Sequence, residues 1–314
     1  MARAPLRHYF SLGVVSSLAA LGVLSTSAGA GPVAPSSAVQ AHWWHPGPIK
    51  SWAYVIGETY PLRVPALAGG VQVYDADLGD QGGLSPSGAP RASAIITKSV
   101  RSVHDHGAKA ICYIDAGTAE NWRSDYALFP KSVLGRPMPG WPGERFIDVT
   151  RWSIRDGPAT EPLGEIMTAR TQLCREEGFD AVEADNVDAY TSGDLGGFHI
   201  TLAEEEAYIR RLSAIAHAHG LAFFLKNGTD GDSLVRDVAR QADGEVVEQC
   251  WQYKQCGALG IFFREHKPVL DVEYAPFTED QLCPQALSLP MATIRTDLAL
   301  NGKITYGCWQ FRKT

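Results

Sequence analysis

The stretch Asp180-Ala181-Val182-Glu183-Ala184-Asp185-Asn186-Val187-Asp188-Ala189-Tyr190 decides the fold of this chain. It begins as a short apolar segment and ends in a group of carboxylates and an amide. Because alternate side chains of a strand share a face, Glu183 and Asp185 point to one side, and Val182 and Ala184 point to the other. The pattern is typical of a barrel strand that is covered by helices outside and delivers acids to the barrel mouth.

Seven further segments have the composition of strands, and helical patterns separate most of them. The eight predicted strands are residues 52–56, 71–75, 110–114, 181–185, 222–225, 245–248, 268–272 and 304–308. Strand–helix alternation of this kind predicts an α/β fold, a single (β/α)8 TIM barrel. An open doubly wound sheet is the alternative, but no GxGxxG motif follows an early strand.

The predicted helices have recognisable ends. Residues 92–106 and 161–177 stop before a Gly, and residues 201–219 begin at Thr201, with Glu204 completing a capping box. An elaborated loop rich in Pro, Gly and Trp, residues 129–150, follows the third strand and contains a short strand-like segment at 145–149. We therefore expect this loop at the catalytic face of the barrel.

The N-terminal residues 1–30 are typical of a secretory signal peptide, with Arg3 and Arg7 before an apolar run at 12–24 and a cleavage site near Ala30. The apolar run is too short for a membrane span. Residues 31–46 then predict a flexible leader, and residues 47–314 the barrel domain. We expect a secreted protein, and we expect it to be a monomer.

The net charge limits the kinds of binding partner that are expected. The formal net charge is −7, and loss of the two N-terminal arginines would make it two units more negative. Such acidity argues against nucleic acid and anionic membranes as binding partners and favours a cationic partner.

Six cysteines in an exported chain predict disulfides, with Cys250–Cys256 as a local bridge and the other pairings open.

Metal sites are not expected. A calcium loop is the alternative interpretation of the stretch from Asp185 to Asp188, but the Gly and late Glu of that motif are absent. Neither a CxxC nor an HExxH motif occurs. The sequence therefore predicts no metal and no cofactor.

Acidic residues concentrate at the predicted strand ends, where TIM barrels carry their chemistry. Parity within the strands allows these acids to face inward together: Asp75, Asp77, Asp115, Glu183, Asp185, Glu248, Asp271 and Glu273. Glycoside hydrolysis requires two carboxylates on opposite sides of a sugar, and Asp185 and Glu248 fit this requirement. Asp188 is an alternative to Asp185, but parity with Glu183 and the position at the strand end favour Asp185.

Several segments resemble glycoside hydrolase family 114, the endo-α-1,4-polygalactosaminidase family. They are residues 73–78, 111–117, 141–148, 182–188, 225–227, 248–253 and 272–274, which include Asp185-Asn186-Val187-Asp188 and Glu248-Gln249-Cys250. The chain departs from the family pattern at Ala184, where Pro is frequent, and in the first strand, where residues 51–57 lack a Trp-Gln-Trp-Gln-Leu-like sequence.

The resemblance implies a retaining endo-hydrolase of galactosamine-containing polysaccharide, with Asp185 as nucleophile, Glu248 as general acid/base and about 5–6 Å between their carboxyl groups. The alternatives are a carbohydrate-binding barrel without turnover and a glycosidase of another α-linked sugar. We expect substrate contacts from Asp75, Asp77, Tyr113, Asp115, Asp148, Glu183, Asn186, Asp188, Tyr190, Lys226, Asn227, Trp251, Tyr253, Glu273 and Tyr274.

Overall fold

The central sheet of the fold consists of short strands that are buried on both faces. This computed structural model describes residues 42–57, 59–63, 70–79, 91–152, 163–230, 233–274, 277–302 and 305–312. Within them the strands are β1 (Trp52–Tyr54), β2 (Val73–Asp77), β3 (Lys109–Asp115), β4 (Thr118–Glu120), β5 (Leu134–Pro137), β6 (Glu144–Ile147), β7 (Ala181–Asp185), β8 (Ala222–Lys226), β9 (Gly244–Glu248), β10 (Val269–Glu273), β11 (Ala292–Thr296) and β12 (Thr305–Gly307).

The main sheet has the order β1-β2-β3-β7-β8-β9-β10-β11-β12. Neighbours from β1 to β11 pair in parallel, and β12 pairs antiparallel with β11. The indole Nε1 of Trp52 on β1 donates to the Ala292 carbonyl on β11 at 2.8 Å, so the first and last parallel strands come together. The prediction of a (β/α)8 barrel is confirmed.

The eighth parallel strand is not the one that the sequence predicted. Residues 304–308 were expected to complete the barrel, but β12 in this region is an antiparallel addition. The parallel partner of β10 is β11 (Ala292–Thr296), which the pattern missed. The barrel therefore has its full set of parallel strands and one extra strand outside that set.

Helices cover the outside of the sheet in the described part of the chain. They are α1 (Ala94–Asp105), α2 (Leu163–Glu177), α3 (Leu202–Ala218), α4 (Ser233–Val238), α5 (Cys250–Tyr253), α6 (Gly260–Arg264) and α7 (Glu279–Ala286). Helix α3 begins at the predicted capping box of Thr201 and Glu204, which confirms that prediction.

The sheet carries one apolar layer on its inner face and a second apolar layer on its outer face, against the helices. Side chains such as Trp52, Ile111 and Phe224 pack inside, whereas Val182 and Ala184 pack in the outer layer between sheet and helices. Glu183 and Asp185 therefore face inward from β7, as the alternation predicted.

The loop after β3 carries a small antiparallel sheet of its own, in the order β4-β6-β5. Three disulfides join Cys112 to Cys174, Cys250 to Cys256 and Cys283 to Cys308. The predicted Cys250–Cys256 bridge is confirmed.

Two sequence predictions concern the N-terminal end. The predicted signal peptide and most of the predicted leader lie outside the described residues. Among the helices of the part that the structure describes, none has the length and hydrophobicity to cross a bilayer.

Candidate active site

One ammonium group brings the two candidate catalytic carboxylates together. Asp185 ends β7, Glu248 ends β9, and Lys226 ends the strand between them. The Lys226 Nζ lies 3.3 Å from Asp185 Oδ1 and 3.6 Å from Glu248 Oε2. These two oxygens can therefore be no farther apart than the sum of the two distances.

Asp185 is held by donors on both of its oxygens. The Tyr113 hydroxyl donates to Oδ2 at 2.7 Å, and the backbone N–H of Asn186 donates to Oδ1 at 2.8 Å. Asn186 adopts a left-handed conformation with φ of 60°, which turns the chain sharply just after the carboxylate. These donors fix the orientation of the carboxyl group.

Glu248 has a different set of partners. The Tyr274 hydroxyl donates to Oε1 at 2.6 Å, and Asn227 Nδ2 donates to Oε2 at 3.3 Å. Asn227 Oδ1 also accepts the backbone N–H of Glu248 at 2.8 Å, so the side chain and main chain are fixed together. The Glu248 side chain is 29% exposed and that of Asp185 is 15% exposed, and Glu248 is thus the more accessible to solvent.

A buried polar network lies beneath this pair. Lys226 Nζ donates to the Tyr54 hydroxyl at 2.9 Å and contacts Glu183 Oε1 at 3.0 Å, and Tyr54 donates to the same oxygen at 3.2 Å. Burial alone would lower the pKa of Lys226, but the charges of Asp185, Glu183 and Glu248 raise it well above its usual value. Lys226 therefore stays cationic between the acids.

Asp75 completes the network as a protonated acid. Its carboxyl group is fully buried beside that of Glu183, and burial, followed by the charge of Glu183, raises its pKa well above the usual range. A proton on Asp75 can then be donated to Glu183, whose Oε2 has no other partner among the described residues. Two carboxylates this close cannot both ionise.

This burial corrects part of the predicted binding site. Asp75 and Glu183 have no exposed surface and Lys226 almost none, which leaves them no area for contact with a ligand. Through Lys226 they are connected to the candidate pair Asp185 and Glu248.

Asp115 connects the β3 end to the loop after β7. Its Oδ2 accepts Asn186 Nδ2 at 2.9 Å, and its Oδ1 accepts the backbone N–H groups of Gly117 and Thr118 at 3.1 and 2.7 Å. A Cβ at Gly117 would lie 1.6 Å from the Asn186 carbonyl oxygen, so only Gly fits there. Burial, with the nearby charges of Glu120 and Asp185, raises the pKa of Asp115 to about 7.

Asp188 lies one turn beyond Asp185 and is half-buried. Burial and the charges of Asp185 and Asp230 raise its pKa to about 6, against a hydrogen bond from the Gly228 backbone. The neighbouring Tyr190 hydroxyl donates to the Asp230 carbonyl at 3.3 Å. The Lys226 and Tyr113 contacts described above converge on Asp185, which favours Asp185 over Asp188 as the reactive group.

A cleft of about 360 Å³ opens beside Tyr113 towards the inserted loop. Trp122 and Trp141 on its wall are 46% and 39% exposed, as is typical of aromatic surfaces available for stacking. Asp77 at its base is engaged by both terminal nitrogens of Arg123 at 2.6 Å. The cleft therefore combines partly exposed aromatic rings with a predicted acid that has a cationic partner.

Two acids of this cleft were missed by the sequence analysis, Glu120 and Glu144. Burial, then the charges of Asp115 and Glu120, raise the pKa of Glu144 to about 8. Glu120 binds the Arg123 Nε at 2.6 Å. Both lie in the inserted sheet rather than at a barrel strand end, so strand parity could not locate them.

Three more of the predicted substrate-contact residues lie in loops or in the short helix α5. Tyr253 is 50% exposed and Trp251 is partly buried, both on α5 directly after Glu248. Asp148 accepts the Thr150 backbone N–H at 3.1 Å and its hydroxyl at 2.6 Å. Asp148 thus stabilises a local turn of the inserted loop.

The acids of β10 face away from the barrel interior, contrary to the sequence prediction. Leu270 and Val272 fill the inside, so Asp271 and Glu273 point outward and are fully buried under the loop after β9. Glu273 therefore cannot contact a ligand in the cleft.

One buried group of possible metal ligands occurs among the described residues, and it consists of Cys250, Asp271 and Glu273. Cys250 is bonded to Cys256, so it offers no thiolate. The group does not fit the donor set of a zinc site.

Comparisons with known proteins agree with this geometry. A family model described as Glycoside-hydrolase family GH114 matches residues 33–310. Ega3 from Aspergillus fumigatus, solved in complex with galactosamine, is 28% identical with a TM-score of 0.69, and the match covers 85% of this chain and 98% of that chain. No curated protein sequence matches the chain.

More distant structures share the fold alone. The glycoside hydrolase domain of PelA from Pseudomonas aeruginosa is 14% identical with a TM-score of 0.56, over 81% of this chain and 96% of that chain. The catalytic domain of β-amylase from Paenibacillus polymyxa is 7% identical with a TM-score of 0.52, over 82% and 94% of the two chains.

Proposed function

Because this chain belongs to glycoside-hydrolase family GH114, we propose that it is a secreted, retaining endo-glycosidase that cleaves α-1,4 linkages in galactosamine-containing polysaccharide. The observation that carries the proposal is the Asp185–Glu248 pair around Lys226 at the strand ends. The similarity to a structure solved with galactosamine supports the choice of sugar. Three disulfides support export to an oxidising compartment.

Asp185 is the nucleophile in this proposal. Lys226 and the Tyr113 hydroxyl hold its carboxylate in one orientation, and Tyr113 also lines the cleft. Attack on the anomeric carbon breaks the glycosidic bond and forms a covalent glycosyl–enzyme intermediate. The amide and hydroxyl donors around Asp185 also stabilise the carboxylate that returns when the intermediate is hydrolysed.

Glu248 is the general acid and then the general base. It first gives a proton to the leaving oxygen and later removes one from the attacking water. Its greater exposure suits both steps, since a leaving group and a water molecule must reach it. Tyr274 and Asn227 fix its orientation.

The chemistry of the cleft favours an amino sugar. Free galactosamine units carry ammonium groups at neutral pH, and the acids Asp77, Glu120, Asp185 and Glu248 outnumber the two cations that contact them, Arg123 and Lys226, which favours a cationic ligand. The exposed rings of Trp122 and Trp141 offer flat faces for sugar C–H groups. We expect this combination to favour partly deacetylated polymer over fully N-acetylated polymer.

The substrate preference is tested by release of reducing ends from α-1,4-linked galactosamine polymers of defined acetylation. We expect release from partly deacetylated polymer, with internal cleavage seen as a rapid fall in chain length by mass spectrometry. Glu248→Gln protein serves as the control for contaminating activity. Binding of polymer without any release would support the non-catalytic alternative, and release only from N-acetylated polymer would refute the cationic preference.

The stereochemical course is a separate expectation. The Lys226 contacts of 3.3 and 3.6 Å limit the Asp185 Oδ1–Glu248 Oε2 separation to the lower edge of the roughly 6.5–9.5 Å of inverting enzymes, and a separation of about 5–5.5 Å, as in retaining enzymes, fits within that limit. Proton NMR of the first product should show the α-anomer before mutarotation. A β-anomer formed first would contradict Asp185 as nucleophile while leaving the substrate assignment intact.

A further inference from the structure

The chain turns in an unfavourable conformation directly after Glu248. Gln249 has φ of 60°, in the left-handed region that is unfavourable for a residue with a Cβ. The short helix α5 follows at once, and its first backbone N–H groups need acceptors from outside the helix. A contact that fixes the position of α5 therefore also restrains Glu248, which precedes it by two residues.

The two outward-facing acids of β10 provide those acceptors. Glu273 Oε1 accepts the backbone N–H of Trp251 at 2.7 Å, and Glu273 also accepts that of Gln252. Asp271 accepts the backbone N–H of Cys250. Three consecutive amides at the start of α5 are thus bound to two carboxyl groups on the neighbouring strand.

One oxygen of each acid remains without a partner among the described residues. These are Asp271 Oδ1 and Glu273 Oε2, while Asp271 Oδ2 accepts the Thr293 hydroxyl at 2.8 Å. The ligand atoms of the two acids and Cys250 lie within 4.8 Å of one another. Since Cys250 is in a disulfide, a proton is the cation that best fits between the two acids.

The charged neighbours do not replace that proton. Arg295 lies next to Glu273 in the β11 register, but its guanidinium binds Glu279 at 3.0 Å and the Phe277 carbonyl. Glu245 on the outer face of β9 adds a further acid rather than a cation. Burial raises the pKa of Asp271 well above its usual range and that of Glu273 to about 7. Asp271 is therefore the acid that keeps the proton.

We propose that Asp271 and Glu273 are positioning residues that share one proton and, by binding the start of α5, fix the orientation of Glu248. The proposal rests on the proposed function of Glu248. Asp271 donates its proton to Glu273, and Glu273 as an anion accepts two backbone N–H groups. This arrangement offsets the strain at Gln249.

Single and double amide substitutions test the shared proton. In Asp271→Asn or Glu273→Gln, one NH2 group replaces the shared proton and faces a remaining carboxylate oxygen. We expect kcat within threefold of wild type and a similar unfolding midpoint. In the double variant, two NH2 groups face each other, so we expect kcat to fall at least tenfold, KM to change less than threefold, and the unfolding midpoint to drop.

Glu245→Gln is the matched control, because Glu245 is equally buried on the same face and is not bound to α5. It should leave kcat unchanged. If the double variant is unfolded at the assay temperature, unfolding midpoints measured at a lower temperature decide the shared proton: a loss larger than the sum of the two single-variant losses supports it, and a loss equal to that sum overturns it. The positioning role is then read from kcat of Glu273→Met, which removes the acceptor and should also lose at least tenfold.

Additive, near-wild-type behaviour of the double variant would overturn the shared proton. A normal kcat for a folded double variant, or for Glu273→Met where that variant replaces it, would overturn the positioning role. Loss of activity in either single amide variant would point to two required anions and would also overturn the proposal. The unfolding measurements use no substrate, so failure of the proposed function in wild-type protein is recognised separately.

Discussion

Replacement of Asp185 by Asn or of Glu248 by Gln is expected to lower kcat on galactosamine polymer by about 10³-fold or more. Each amide has nearly the same shape as the acid it replaces and retains an oxygen that can accept from Tyr113 or Tyr274. Both variants should therefore fold with unfolding midpoints close to wild type. Initial rates of reducing-end release, beside circular dichroism, check the expectation.

A substrate with an aryl leaving group separates the two roles. Departure of such a group needs little protonation, so formation of the intermediate should recover in Glu248→Gln but remain blocked in Asp185→Asn. Asp188→Asn is the control for the alternative nucleophile and should retain most activity. The assignment fails if Asp188→Asn is inactive while Asp185→Asn still turns over.

Replacement of Lys226 by Met is expected to have the second largest effect. The ammonium contacts Glu183, Asp185 and Glu248 within 3.6 Å, and its removal leaves buried carboxylates without their cation. Breaking a buried ion pair in this way costs about 3–5 kcal/mol of unfolding free energy. We expect kcat to fall about 10²-fold, since Asp185 loses the contact that holds its carboxyl group in orientation.

Lys109→Met is the matched control for that substitution. Lys109 binds Asp180 at 2.6 Å, but its side chain is 45% exposed, so the loss should be no more than about 1 kcal/mol. Urea unfolding and initial rates on both variants give the comparison. Near-wild-type turnover in folded Lys226→Met protein would show that the ammonium is not part of the catalytic arrangement.

The sequence predicted β7 with its observed bounds and orientation because one face carries Val182 and Ala184 and the other carries acids. The same reasoning failed for β10, where Asp271 and Glu273 alternate with Leu270 and Val272. Both faces of a barrel strand are buried, so alternation identifies the two faces without telling which is inside. Acids in the outer layer there bind the start of α5.

The sequence pattern did not predict the eighth parallel strand or the extent to which the inward-facing acids are buried, and the two reasons differ. Ala292–Thr296 carries Thr293 and Arg295 on its outer face and lacks a strong strand composition, whereas residues 304–308 are richer in apolar side chains. Asp75 and Glu183 occupy inward positions, as expected, but position along a strand does not tell how far a residue lies from solvent. Trp52 and Tyr54 are two residues apart in the first predicted strand and therefore share a face, which could have identified Tyr54 as an inward-facing residue of the candidate site.

The Cys112–Cys174 bridge, with a sequence separation of 62, spans the whole inserted loop from inside β3 to inside α2. By the chain-entropy relation, closing a loop of that length stabilises the fold by about 4 kcal/mol. Its further consequence concerns chain continuity. A protease that cuts the insertion between Cys112 and Cys174 breaks one peptide bond without separating the two pieces, because the disulfide keeps them one covalent molecule. The loop that forms one wall of the cleft can therefore be cut without separating it from the barrel that carries Asp185 and Glu248.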